Sequence, residues 1–156
     1  MAKPGKRRDA SSASTPAFVV SAEEWVRQAV RDAGTPRAVK DGYKQAVVAL
    51  RQHGCKAADY RLSGPGDWPR YCVIRLARGW RLVMQFPAPD EVLLSLLQPH
   101  SNVSDPAAGL QERYDLPPVG DVSAWRDERD PACCDDQAAP PGWEEGSNVA
   151  IDELHL

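Results

Sequence analysis

Between Tyr71 and Phe86 apolar and polar positions alternate with a period of two, the side-chain repeat of a β-strand. In Tyr71–Leu76, Cys72, Ile74 and Leu76 share one face, and Tyr71, Val73 and Arg75 share the other. After Ala77-Arg78-Gly79 the pattern resumes, with Trp80, Leu82, Met84 and Phe86 on one side and Arg81, Val83 and Gln85 on the other. This predicts a hairpin whose strands each carry an arginine on the less apolar face. Glu91–Leu97 predicts another strand beyond Pro87-Ala88-Pro89-Asp90, and Asp59–Leu62 an earlier one, followed by a turn at Gly64-Pro65-Gly66. Ala17–Val20 predicts a short first strand.

Between these strands the period becomes helical. Ser21 and Glu24 have the spacing of a capping box, and the predicted helix runs from Glu23 to about Ala33 with Trp25, Val26, Ala29, Val30 and Ala33 as its stripe. Gly34 ends it. Thr35 as N-cap and Pro36 as first helical residue open a second helix. Its stripe is Val39, Tyr43, Ala46, Val47 and Leu50, and Gly54 closes it. The predicted fold class is α+β, a helical hairpin on a small antiparallel sheet. Trp25, Val30, Val39, Tyr43, Val47 and Leu50 are expected to pack on Ile74, Leu76, Leu82, Met84 and Leu94.

A chain of 156 residues suggests one domain. Residues 17–115 are expected to form it. Residues 1–16, rich in Lys, Arg, Ser and Ala, read as a disordered basic tail, and 116–156 as an acidic, Pro-rich tail. The last stretch, Val149–Leu156, is amphipathic enough to dock. The net charge of −3 conceals a split. Up to Ser104 there are 16 Lys and Arg against 9 acids, a net of +7; from Asp105 there are 3 Arg against 13 acids, a net of −10. A basic body with an acidic tail points to nucleic-acid contact, to an intramolecular mask, or simply to a solvating tail. In the mask reading Asp127, Glu128, Asp130, Asp135 and Asp136 lie against the arginine face.

No apolar run approaches the roughly 18 residues of a membrane span, and no apolar segment follows the basic N-terminus as a secretory signal requires. Four Cys without regular spacing read as reduced thiols of a cytoplasmic protein. His53, Cys55 and the adjacent Cys133 and Cys134 lack the paired spacing of a zinc site, so no metal or cofactor is expected. Phosphate-loop, dinucleotide, zinc-protease and serine-hydrolase motifs are absent from the sequence.

The order strand, two helices, then strands, with Arg61-Leu62-Ser63-Gly64, Tyr71-Cys72-Val73-Ile74-Arg75-Leu76, Gly79-Trp80-Arg81-Leu82-Val83 and Val92–Leu97 followed by His100, resembles the RelE/ParE superfamily of bacterial type II toxins. The resemblance covers about Ala17 to Tyr114. It implies a ribosome-dependent mRNA endonuclease that needs no metal, or, in the ParE branch, a gyrase poison. By that resemblance the catalytic residues are Arg75, Arg81, His100 and Tyr114; Arg61 and Arg78 are expected to contact RNA, and Trp68, set among Gly, Asp and Pro, to stack on a base. The implied partners are an antitoxin protein and the ribosome with its mRNA, with DNA reached only through the antitoxin and no membrane involved. A non-catalytic protein-binding module of the same fold is the alternative from another class. Each site residue also has a plainer reading: Arg81 paired with Asp90 or Glu91 across a hairpin, His100 as a loop histidine, Trp80 and Phe86 as core.

Overall fold

The computed structural model describes residues 18–128, 132–135 and 137–144; the expected tail 1–16, the acids Asp130 and Asp136, and the stretch Val149–Leu156 lie outside them. The architecture is α+β. Six strands, β1 (Val19–Ala22), β2 (Tyr60–Ser63), β3 (Tyr71–Arg75), β4 (Trp80–Ala88), β5 (Glu91–Pro99) and β6 (Arg126–Glu128), form one sheet in the order β1-β5-β4-β3-β2-β6. β1 runs parallel to β5 and every other pair is antiparallel. Among the described residues three α-helices accompany it: α1 (Glu24–Arg31), α2 (Arg37–His53) and α3 (Asp105–Arg113).

Local chemistry explains where the elements begin and end. Ser21 is paired with Leu93 in β1 and buried, so it is not free to cap a helix. Glu23 takes the N-cap position in extended conformation without a side-chain cap bond, and the expected capping box does not form. Thr35 likewise does not cap α2. Its hydroxyl donates to the Ala29 carbonyl at 2.6 Å, and Pro36 holds the N-cap position. Gly54 closes α2 at φ +57, where a Cβ would also stand 2.3 Å from the Phe18 ring. Arg78 and Gly79, both at positive φ, turn the β3–β4 hairpin.

The helical pair covers one face of the sheet. Val26, Val39, Tyr43, Val47 and Leu50 pack with Ile74, Leu82, Met84 and Leu94 in one core, against which Trp25, Val30, Leu76 and Trp80 are partly buried. This matches the expected packing and strand register. The opposite face, expected to be the more polar one, carries a second core. Tyr60, Leu62, Trp68, Tyr71, Val73, Val83 and Leu96 are covered by Ala107 and Leu110 of α3 and by Trp125.

The acidic segment accordingly enters the fold. Leu116 and Val119 pack on the second core, Trp125 is buried in it, and β6 adds an edge strand to β2. The cysteines also depart from expectation: instead of reduced thiols, Cys55 pairs with Cys134 and Cys72 with Cys133 as disulfides. Among the described residues no helix is long and apolar enough to cross a membrane.

Candidate anion-binding site

Arg75 on β3 and Arg81 on β4 are direct cross-strand partners. Partners share a face, and alternation from Val73 and Val83 places both arginines at the margin of the second core. Two cations directly opposed across strands repel, so their surroundings matter. The Arg75 guanidinium lies over the Tyr60 ring, 4.5 Å from its centroid, a favourable cation–π contact. Arg81 lies near the Tyr60 hydroxyl and favours its ionised form against burial, and its Nη1 donates to the Trp80 carbonyl at 3.0 Å. Its Nε is buried without a hydrogen-bond partner, an orphaned donor that carries a real energetic penalty. Among the described residues no carboxylate stands at ion-pair distance from either arginine.

His100 joins this pair because the end of β5 is tied to the hairpin turn. Trp80 is opposite Pro99, and the His100 N–H donates to the Gly79 carbonyl at 3.1 Å. Its Nδ1 is buried without a partner. Burial, then the nearby Arg81, lowers the imidazole pKa below its ordinary value; Asp105 opposes the shift and Arg75 adds to it. Asp105 itself is held low by the backbone N–H groups of Asn102 and Ser101, which donate to its Oδ2 at 2.9 and 2.6 Å.

Tyr60 is 2% exposed, and burial raises its pKa, so its hydroxyl keeps the proton. Asp127 of β6 is opposite Leu62 and shares its face. Partial burial raises the Asp127 pKa, while Arg75 and Arg81 act in the opposite direction. The site is therefore two facing guanidinium groups, a neutral imidazole, a phenol and one carboxylate at the rim. An orphaned buried guanidinium donor beside unneutralised cations suits an oxyanion, phosphate above all.

Of the residues singled out in the sequence, Arg75, Arg81 and His100 come together, and Arg78 is exposed on the adjoining turn. Arg81 faces Gln98, not Asp90 or Glu91. Alternation puts Arg61 on the other face from Tyr60, where it pairs with Glu128. Trp68 is unsuited to stacking on a base: it is 8% exposed, donates to the Pro118 carbonyl at 2.9 Å and meets Trp125 edge-on at 4.9 Å. Tyr114 sits elsewhere, hydrogen-bonded to Glu23 and edge-on to Trp25 at 5.4 Å. Burial and the Glu23 carboxylate push its pKa up. Tyr60 was not foreseen as a site residue, and Asp127 was foreseen only among the acids of the mask reading. The one sequence signal for Tyr60 was its position on the strand next to the hairpin.

Comparison with known proteins supplies no relative: no family model, no curated protein and no solved structure matches the chain.

Proposed function

We propose that the Arg75–Arg81–His100 cluster binds RNA phosphate and that the protein is a toxin-like, ribosome-dependent mRNA endonuclease of the RelE/ParE kind, neutralised by an antitoxin. The observation that carries this reading is the cross-strand arginine pair beside a buried, unpartnered imidazole nitrogen. The helical pair on one face of a mainly antiparallel sheet agrees with the family resemblance of the sequence. In the proposed reaction the neutral His100 takes the proton of the ribose 2′-hydroxyl. The 2′-oxygen attacks the adjacent phosphorus, Arg75 and Arg81 stabilise the charge that builds on the phosphoryl oxygens, and the 5′-oxygen leaves with a proton taken from water, the hydroxide so formed recovering the proton held by His100. Tyr60, its proton held, positions both guanidinium groups. Tyr114 has no part in this scheme.

The test is ribosome-dependent cleavage of a short mRNA together with growth arrest on induced expression. Arg81→Ala is expected to abolish both while changing folding stability by no more than about 1 kcal/mol, as for a partly exposed polar position. An unfolded variant would make Arg81 structural. Cleavage that persists at the wild-type rate in a folded variant would remove the arginine pair from the mechanism.

A further inference from the structure

Described residues stand on both sides of the β2 edge of the sheet. Trp125 is buried on the face that carries the arginines, β6 runs along the edge, and the single helical turn Ala132–Asp135 lies on the opposite side, where Cys133 joins the helix-side core. On that turn two adjacent cysteines are tied to two separate elements. Cys133 is bonded to Cys72 in β3, and Cys134 to Cys55 in the turn after α2. Beyond the buried Trp125 that precedes it, the non-covalent hold on β6 is slight by comparison. It has three residues, Arg126 and Asp127 exposed, with the Arg61–Glu128 ion pair at its end. So short an edge strand has little stability of its own. Yet it carries Asp127, opposite Leu62, on the sheet face that also carries Tyr60 and the two arginines.

We propose that β6 is a redox-tethered strap: the Cys55–Cys134 and Cys72–Cys133 disulfides hold the Asp127 carboxylate on the face of the Arg75–Arg81 phosphate site, within its electrostatic reach, and their reduction by a dithiol releases it. The proposal rests on the phosphate-binding reading of that site. Each disulfide accepts two electrons and two protons from the dithiol, which becomes a disulfide, and two cysteine thiols form. Cys134 is exposed and Cys55 half-buried, whereas Cys133 and Cys72 are buried. Reduction therefore starts at the outer bond, since exchange requires an accessible sulfur, and the inner bond follows once the turn has loosened. An oxidised protein is masked and a reduced one open. The device places the acidic strand in competition with RNA.

The test uses the full-length protein and a fluorescent 2′-O-methyl RNA oligonucleotide, which binds without being cleaved. Affinity is read by anisotropy before and after reduction. Reduction is expected to tighten binding about tenfold, a usual size for coupling between two sites. Asp127→Asn should bind that tightly while still oxidised and gain nothing further on reduction. The double variant Cys133→Ser with Cys134→Ser should bind tightly with or without reductant.

Near-UV circular dichroism and a thermal melt follow the fold. If the reduced protein and the double variant both lose their cooperative melt, the disulfides are structural staples and the gate is overturned. If oxidised Asp127→Asn binds tightly but a folded, reduced wild type does not, the tether idea fails and the phosphate site stands. If no state binds the oligonucleotide, and Arg81→Ala changes nothing, the phosphate reading itself has failed and the gate falls with it.

Discussion

His100 shows how one side chain is tuned by its position. Burial and Arg81 lower its pKa from the ordinary 6.5, so it is neutral near pH 7, as a general base must be. The unfolded chain therefore binds a proton more readily than the folded one. The stabilising contribution is present above 6.5 and is lost as the pH falls through the lowered folded value. An anion reverses this locally. A phosphate beside the imidazole favours the imidazolium, so binding takes up a proton, and affinity for the non-cleavable RNA should rise as the pH falls from 8 toward 6. Asp127, whose pKa burial raises while Arg75 and Arg81 oppose the shift, acts in the same direction as the pH falls further toward the carboxylate range. Asp127→Asn subtracts that part. His100→Gln in the Asp127→Asn background should flatten the remaining pH dependence, and His100→Gln alone should cut cleavage by about 100-fold or more, the scale of a positioned acid or base. A cleavage rate unchanged by His100→Gln would make His100 the loop histidine of the plainer reading.

At the scale of elements, legibility followed periodicity. α2 and the β3–β4 hairpin were readable because Val39, Tyr43, Ala46, Val47 and Leu50 form one stripe and Leu82, Met84 and Phe86 one strand face. The second core was less visible, although Val92–Leu97 is buried at all six positions. A nearly continuous apolar run is the pattern of a strand covered on both faces, and Tyr71, Val73 and Val83 were apolar positions on the face read as polar. β6 could not be read at all. Arg-Asp-Glu has no apolar period, and the strand exists through its pairing with β2 and the anchoring of its flanks. One flank is Trp125, whose Nε1 donates to the Val119 carbonyl at 2.7 Å and whose ring lies against Gly64. A Cβ on Gly64 would stand 2.4 Å from that ring, so Gly64→Ala must displace it. The expected cost is about 1–3 kcal/mol, typical of overpacking, and Trp125→Ala should cost about 3–5 kcal/mol as a core truncation. Because the two act through one contact, the double variant should cost clearly less than the sum. Additive losses in denaturant melts would show that Gly64 matters for some reason other than Trp125.

The charge split belongs to the whole molecule, and its meaning changes once the acidic segment is seen to be built into the sheet. Residues 1–125 carry 16+1 basic against 9+4 acidic side chains, a net of +4, and residues 126–156 carry 2 Arg against 9 acids, a net of −7. The division of charge was plain in the sequence, but the point of contact was not, since it depends on which face of β6 meets Tyr60 and Leu62. A truncation at Ser123 would remove Trp125 from the second core as well as the acids, so it cannot isolate the charge. Asp127→Asn can. Between the oxidised wild type and oxidised Asp127→Asn, the difference in RNA affinity should be largest at low salt. It should shrink steadily as salt rises, because exposed charges are screened over about 8 Å at physiological ionic strength and about 3 Å at 1 M. Both proteins should lose absolute affinity over the same range as counterions compete for the RNA. If the difference between them holds constant across the titration, β6 blocks the arginine pair by its bulk, and the Asp127 carboxylate is incidental to the mask.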